Sequence, residues 1–359
     1  MTRTARPRLM FTSALAAASL AAATLLTACG EKAENETAVT AREKVRIVLD
    51  YFPNADHAAI YAALGSGAFE RAGLDVQIQA PGDASTPLKL LQAGKADFAI
   101  TYQPELVLAR AKGEDLKTVA ALVQEPLTSL ISLPRHPVRK ASDLKGKTVG
   151  TAGIDYQAKY LDTILKDGNV DSSSVKRVDL GFDLVRPLIA KKVDASLGAF
   201  WNYEGVQLQR EKKKPVITKI TDLGVPTYDE LLLTATGKTI RDRGPVVRRL
   251  VQAIAIGARE LKENPNAGID PLMQAAPTLD RGLQEASLKA TLPVMFPKDD
   301  KQPFGWIDET EWAAYARWMA KEGLISEGEI AARGWTNEFL AGEGVGDDDG
   351  GGEQKIQGI

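Results

Sequence analysis

Two bulky aromatics, an amide and a carboxylate occupy consecutive positions in Trp201-Asn202-Tyr203-Glu204, directly after the apolar run Asp194–Phe200. A carboxylate that follows a buried strand must find hydrogen-bond donors, because a charge left unsatisfied away from water is costly. Two roles fit Glu204: an acid in the first turn of a helix, favoured by the macrodipole, or an acceptor for a ligand's N–H. Three other segments have a similar make-up: Tyr51-Phe52-Pro53-Asn54, Thr101-Tyr102-Gln103-Pro104 and Gly153-Ile154-Asp155-Tyr156. Each joins an aromatic to an amide or an acid. Aromatic faces with a few directional polar groups suit a flat heterocycle, neutral or weakly basic. Phosphate would call for glycine-rich backbone nests with Lys or Arg, and the four segments contain neither base. Gly150 and Gly153 are too sparse for a dinucleotide fingerprint.

Such segments need elements to hold them. Val45–Leu49 reads as a strand, Ala55–Leu64 as a helix and Leu74–Gln79 as an alternating, half-exposed strand. Ser85 or Thr86 caps a helix with Pro87 in its first turn, and Asp97–Ile100 and Glu105–Lys112 supply the next strand and helix. After Leu133-Pro134 the plan restarts with a strand at 147–150, a helix at 155–166, a strand at 175–180, a helix at 185–192 and a strand at 194–200. The turn-and-strand stretch 94–100 (G-K-A-D-F-A-I) recurs as 191–197 (K-K-V-D-A-S-L). A strand at 230–235 and a long helix around 246–261 follow. The capping box Asp308-Glu309-Thr310-Glu311 opens a helix whose Trp312, Tyr315 and Met319 form a core stripe.

Strands separated by helices of this length predict an α/β fold with largely parallel sheets. The economical arrangement is two lobes, one from 45–132 with 226–341 and the other from 136–222, joined by hinge crossings at Leu133–Arg139 and Leu223–Tyr228. Ligands in such sheets sit beyond the carboxyl ends of the strands, which is where the four aromatic segments fall. Tyr51 and Tyr102 could equally close the ends of a core, and His57 could be a structural histidine.

The chain of 359 residues, 44% hydrophobic and 26% charged, suits a globular protein of two domains. A net charge of −2 with interspersed signs argues against nucleic acid as a partner. Two histidines and one cysteine exclude an ordinary Cys/His zinc site and a disulfide within the chain. Residues 1–28 have the positive start, apolar run and small-residue end of a signal peptide. Leu26-Thr27-Ala28-Cys29 resembles the bacterial lipobox, which makes Cys29 the expected lipidation site and the lipid the expected link to the membrane. Residues 29–44 read as a lipid-anchored tether and 342–359 as a disordered tail.

Four motifs carry a wider resemblance: 49–63 (L-D-Y-F-P-N-A-D-H-A-A-I-Y-A-A), 67–76 (G-A-F-E-R-A-G-L-D-V), 93–105 (A-G-K-A-D-F-A-I-T-Y-Q-P-E) and 143–150 (D-L-K-G-K-T-V-G). Together they resemble the thiamine-pyrimidine family, which unites solute-binding proteins of ABC importers with a fungal-type pyrimidine synthase. The resemblance extends over about 45–345 and implies the two-lobed periplasmic-binding-protein fold of the second type. For the importer branch it implies a monomer that binds a pyrimidine precursor of thiamine, of formylaminopyrimidine or hydroxymethylpyrimidine type, and delivers it to a membrane permease without a cofactor. Tyr51 stands where the family usually has tryptophan, Asn54 and His57 match its P-N-x-x-H pattern, and Glu204 matches the acid of an aromatic-N-x-E stretch. Tyr51, Asn54, His57, Tyr102, Glu105, Tyr156, Trp201, Asn202, Tyr203 and Glu204 are therefore the candidate ligand-binding residues, with no catalytic or metal site expected.

The synthase branch fits poorly. Its pyridoxal-binding lysine aligns with Thr101, its histidine with Glu105, and its cysteine-rich stretch has no counterpart in Glu230–Gly237. Receptors for riboflavin, or for sulfonate, taurine or nitrate, are the alternatives within the same fold. The anions would be repelled by Glu204.

Overall fold

The computed structural model describes residues 42–326 and 334–342. The expected signal peptide, Cys29 and nearly all of the expected tether and tail lie outside them. The first strand begins at Glu43, inside the expected tether, because Glu43 and Lys44 already pair with Leu74 and Asp75.

Among the described residues, ten strands form two sheets. In chain order they are β1 (Glu43–Val48), β2 (Leu74–Gln79), β3 (Phe98–Thr101), β4 (Leu116–Val123), β5 (Thr128–Ser132), β6 (Thr148–Thr151), β7 (Lys176–Asp179), β8 (Ala195–Phe200), β9 (Val216–Lys219) and β10 (Leu231–Thr236). One sheet has the order β2-β1-β3-β10-β4 and the other β7-β6-β8-β5-β9. Both follow one plan. The strand laid down on arrival from the other lobe, β10 or β5, runs antiparallel between two neighbours, and the remaining pairs are parallel. Burial explains the residue types: β3 is buried throughout and apolar but for Thr101, as a central strand covered on both faces must be. The edge strand β2 alternates and is partly exposed.

Helices pack closely on the first sheet. Gly257, within the helix Gly244–Glu263, faces the helix Ala58–Gly65 so tightly that a Cβ would lie 2.4 Å from both Ala59 O and Ala63 N. Only glycine permits this approach. The stripe Trp312, Tyr315 and Met319 on the helix Glu309–Lys321 is buried. Tyr315 also reaches the second lobe, where its hydroxyl meets that of Tyr160, and Tyr160 packs against Trp318 and Tyr228 with ring centroids 5.9 and 6.1 Å away.

The first crossing differs from expectation. Thr128–Ser132, expected at the end of the first lobe, is β5 of the second, so the chain crosses at 124–127 rather than 133–139. Glu125-Pro126 already breaks the strand there, whereas Leu133-Pro134 merely ends β5. The second crossing runs through 224–230. One carboxylate joins the two: Glu230 Oε2 accepts from Leu127 N (2.9 Å), Thr128 N (3.0 Å) and Tyr228 OH (3.0 Å), while Oε1 accepts from Thr128 Oγ1 (3.1 Å). The expected helix 185–192 contracts to Arg186–Ile189, with Lys191 at φ 61° just beyond it.

Candidate ligand-binding cleft

Each of the four aromatic segments follows a strand: 51–54 comes after β1, 101–104 overlaps the end of β3, 153–156 comes after β6 and 201–204 after β8. They meet across the lobes around about 420 Å³ of unfilled space, part of it continuous with solvent. Of the ten candidates, Tyr51, Asn54, Tyr102, Tyr156, Tyr203 and Glu204 line this cavity.

On the first lobe, β1 ends at Asp50, which is buried and doubly bonded: His57 Nε2 lies 2.8 Å from Oδ1, and Tyr102 OH donates to Oδ2 at 2.7 Å. The backbone N–H of Asn54 donates to His57 Nδ1 (3.2 Å), so Nε2 carries the ring proton and donates to Asp50. The Asn54 side chain caps the turn Ala55–His57, accepting from Asp56 N (2.7 Å) and donating to Phe52 O (3.0 Å). Most of its hydrogen-bonding capacity is thus used to shape its own loop.

On the second lobe, β8 carries a bulge. Ser129 pairs with Ala199 and Leu130 with Leu197, leaving Gly198 as the extra residue at φ 97°. A Cβ there would fall 2.3 Å from the Gln157 amide, whose Oε1 accepts from Ala152 N (2.8 Å). At the strand end, Glu204 Oε2 accepts from Phe200 N (2.7 Å). Burial pushes the Glu204 carboxyl up to about 7, partly opposed by that backbone donor.

Aromatic edges close the mouth. Tyr51 and Phe182 meet edge to face at 4.7 Å, Phe52 and Phe182 at 4.8 Å, and Tyr51 OH donates to Phe182 O across the lobes at 2.6 Å. Tyr102 and Tyr156 meet deeper in the cavity at 5.8 Å.

Four candidates do not line the cavity. His57 is buried behind it, occupied with Asp50 and the Asn54 backbone. Trp201 turns toward the hinge, where Nε1 donates to Pro126 O (3.0 Å) and Lys219 Nζ lies 4.5 Å from its ring. Asn202 is buried between the lobes, its Nδ2 at 2.6 Å from both Asp56 Oδ1 and Thr291 Oγ1. Glu105 lies in the first turn of the helix Gln103–Ala111. Burial, with the nearby charges of Asp50 and Asp155, raises its carboxyl to about 8. An acid raised in this way stabilises the fold fully below its unfolded value near 4.5, and the contribution is lost as pH rises through about 8. Glu105→Gln is therefore expected to melt about 3 °C or more above the parent at pH 8.5, with the gap closing toward pH 5, as thermal denaturation across pH would show.

The sequence reading missed Asp50, Asp56, Phe182 and Phe200 in the lining. Asp50 carried the same signal as Glu204, an acid directly after a buried strand. Phe182 lies in the loop after β7, one more strand end of the same sheet.

Residues 54–268 match the family described as NMT1/THI5 like. The chain belongs to that family. A Haemophilus influenzae protein named for thiamine biosynthesis is 34% identical over 286 residues, covering 79% of this chain and 89% of its own. The formylaminopyrimidine-binding protein of Halalkalibacterium halodurans is 30% identical over 295 residues, covering 81% and 89%. Synthases of 4-amino-5-hydroxymethyl-2-methylpyrimidine phosphate match more distantly, as for Legionella pneumophila at 24% identity. Among solved structures, the alkanesulfonate-binding protein SsuA of Xanthomonas axonopodis pv. citri superimposes with a TM-score of 0.62 at 15% identity, covering 82% of this chain and 98% of its own. The NMT1/THI5-like chain thus has the two-lobed periplasmic-binding-protein fold expected above, with the Asn54 turn shaping one wall of the cavity and Glu204 standing on the other.

Proposed function

We propose that this protein is the solute-binding component of an ABC importer, held by a lipid on Cys29 at the outer face of the cell membrane, and that it delivers a pyrimidine precursor of thiamine to a permease. The cavity wall carries the reading. It joins aromatic rings to the carboxylates of Asp50, Asp56 and Glu204 and, among the described residues, contains no Lys, Arg or His. A buried acid with aromatic neighbours accepts from the amine of an aminopyrimidine and suits a protonated ring nitrogen. The same wall would repel a sulfonate or nitrate, whatever the fold shared with receptors for those anions.

Binding without catalysis is the better reading of the chemistry. Thr101, which aligns with the synthase lysine, is buried in the sheet with its hydroxyl 2.6 Å from that of Thr234. It offers no amine for an imine. The two crossings allow hinge closure, in which ligand docks on one lobe and the other closes over it.

A thermal-shift panel tests the proposal. Formylaminopyrimidine or hydroxymethylpyrimidine, present at about 100 times Kd, is expected to add about 2.7 kcal/mol of stability by mass action. Riboflavin, taurine and nitrate are expected to leave the melting temperature unchanged. A shift produced by taurine or nitrate alone would overturn the pyrimidine reading, and one produced by riboflavin alone would replace it.

A further inference from the structure

Asp56 holds two positions at once. It lines the cavity, and it also touches the opposite lobe. Its Oδ1 accepts from Asn202 Nδ2 (2.6 Å), in the segment after β8, and from Thr291 Oγ1 (3.0 Å), at the end of the helix Arg281–Thr291 in its own lobe. Asp56 is 2% exposed, and Asn202 and Thr291 are fully buried. Its Oδ2 is buried without a hydrogen-bond partner among the described residues. An acceptor-only group in that position is costly unless something donates to it. Burial raises the carboxyl to about 6, with the hydrogen bonds from Thr291 and Asn202 opposing and Asp50 reinforcing the rise.

We propose that Asp56 is a specificity-determining residue that couples recognition to closure: Oδ2 accepts an N–H from the bound heterocycle while Oδ1 holds Asn202 of the opposite lobe. The inference rests on the pyrimidine-binding reading and narrows it. Glu204 and Asp56 are separate acceptors on different elements, so the preferred ligand carries two separate N–H donors. Formylaminopyrimidine has such a pair, its ring amine and its formamide N–H. A ligand with one donor leaves one carboxylate unmatched, and a ring with acceptors on both edges opposes its lone pairs to carboxylate oxygens.

The test is calorimetric titration of the parent, Asp56→Asn and Asn202→Ala with formylaminopyrimidine and two analogues, one dimethylated on the ring amine and one methylated on the formamide nitrogen. The parent should bind each analogue at least about tenfold more weakly, the loss expected for a buried donor–acceptor pair with a charged partner. In Asp56→Asn one of the two penalties should shrink to within about threefold, because the acceptor that enforced it is gone. Asn202→Ala should weaken all three ligands by one common factor and reduce the ligand-induced compaction seen by small-angle scattering, since it loosens closure without altering what is read. Equal penalties in the parent and Asp56→Asn would overturn the ligand contact. Unchanged affinity and compaction in Asn202→Ala would overturn the coupling, and this variant keeps Asp56 in place should Asp56→Asn fail to fold. If the parent ignores formylaminopyrimidine, the pyrimidine reading falls and the ligand contact with it, while scattering of ligand-free Asn202→Ala still decides whether the pair holds the lobes together.

Discussion

Glu230→Ala is expected to lower the stability of the folded protein by roughly 3–5 kcal/mol, the largest loss foreseen for any single truncation at the hinge. Glu230 is fully buried and receives four hydrogen bonds, two of them from the backbone N–H groups of Leu127 and Thr128 at the first crossing. Alanine would leave those donors buried and unmet, together with the hydroxyls of Tyr228 and Thr128. Burial of this kind costs more than the net value of the bonds themselves. The melting temperature should fall by about 5–8 °C. Glu230→Gln keeps one acceptor oxygen and should lose roughly half as much. A melting curve for Glu230→Ala within about 2 °C of the parent would show that the crossings hold their geometry without this anchor.

The second large effect concerns binding. Glu204→Gln is expected to weaken binding of the proposed pyrimidine ligand by about 2–3 kcal/mol, roughly 30- to 150-fold, because a charged acceptor becomes a neutral amide that can present a donor instead. Two signatures separate this from general damage. Parent affinity for a donor ligand should fall as pH drops from 8 toward 5.5 and the Glu204 carboxyl, raised to about 7, takes up its proton. Glu204→Gln should lose the part of that slope near pH 7 and keep only the fall below about 6 that Asp56 contributes. The raised value also means that Glu204 stabilises the fold in acid and loses this contribution as pH rises through about 7, so the Gln variant should melt above the parent at pH 8 while binding less well. Trp201→Phe, altered at the hinge side of the same segment, should retain affinity within about threefold. Equal calorimetric affinity of Glu204→Gln and parent at pH 8 would remove Glu204 from the recognition scheme.

The sequence was most legible where one element decided its own structure. Strand ends could be found because runs such as Phe98–Thr101 and Ala195–Phe200 are largely apolar, and aromatics of the segments that follow them do reach one cavity. Side-chain direction was not legible. Trp201 and Glu204 share a turn, yet one faces Pro126 and the other the cavity, and that choice depends on a crossing whose position the sequence reading placed too late. β5 escaped notice for a related reason. T-S-L-I-S is short and partly polar, and only pairing with β8 and β9 on either side makes it a strand. Asn202 looked like a ligand amide because its partners, Asp56 and Thr291, are far away in the chain and invisible to spacing.

The ring contacts of Tyr160 with Tyr228 and Trp318, and its hydroxyl contact with Tyr315, lie outside the cavity lining but bridge the lobes. Adhesion between the lobes that needs no cargo raises the fraction of molecules already shut when no solute is present. Apparent affinity then approaches the intrinsic value of the shut form, because little reorganisation is left for the solute to drive. If the protein serves an importer as proposed, the opposite side of that gain falls on transport. A partner that recognises only the shut shape would meet empty and loaded molecules alike, so faithful delivery would have to depend on features at the mouth that differ between them, such as the Tyr51–Phe182 contact.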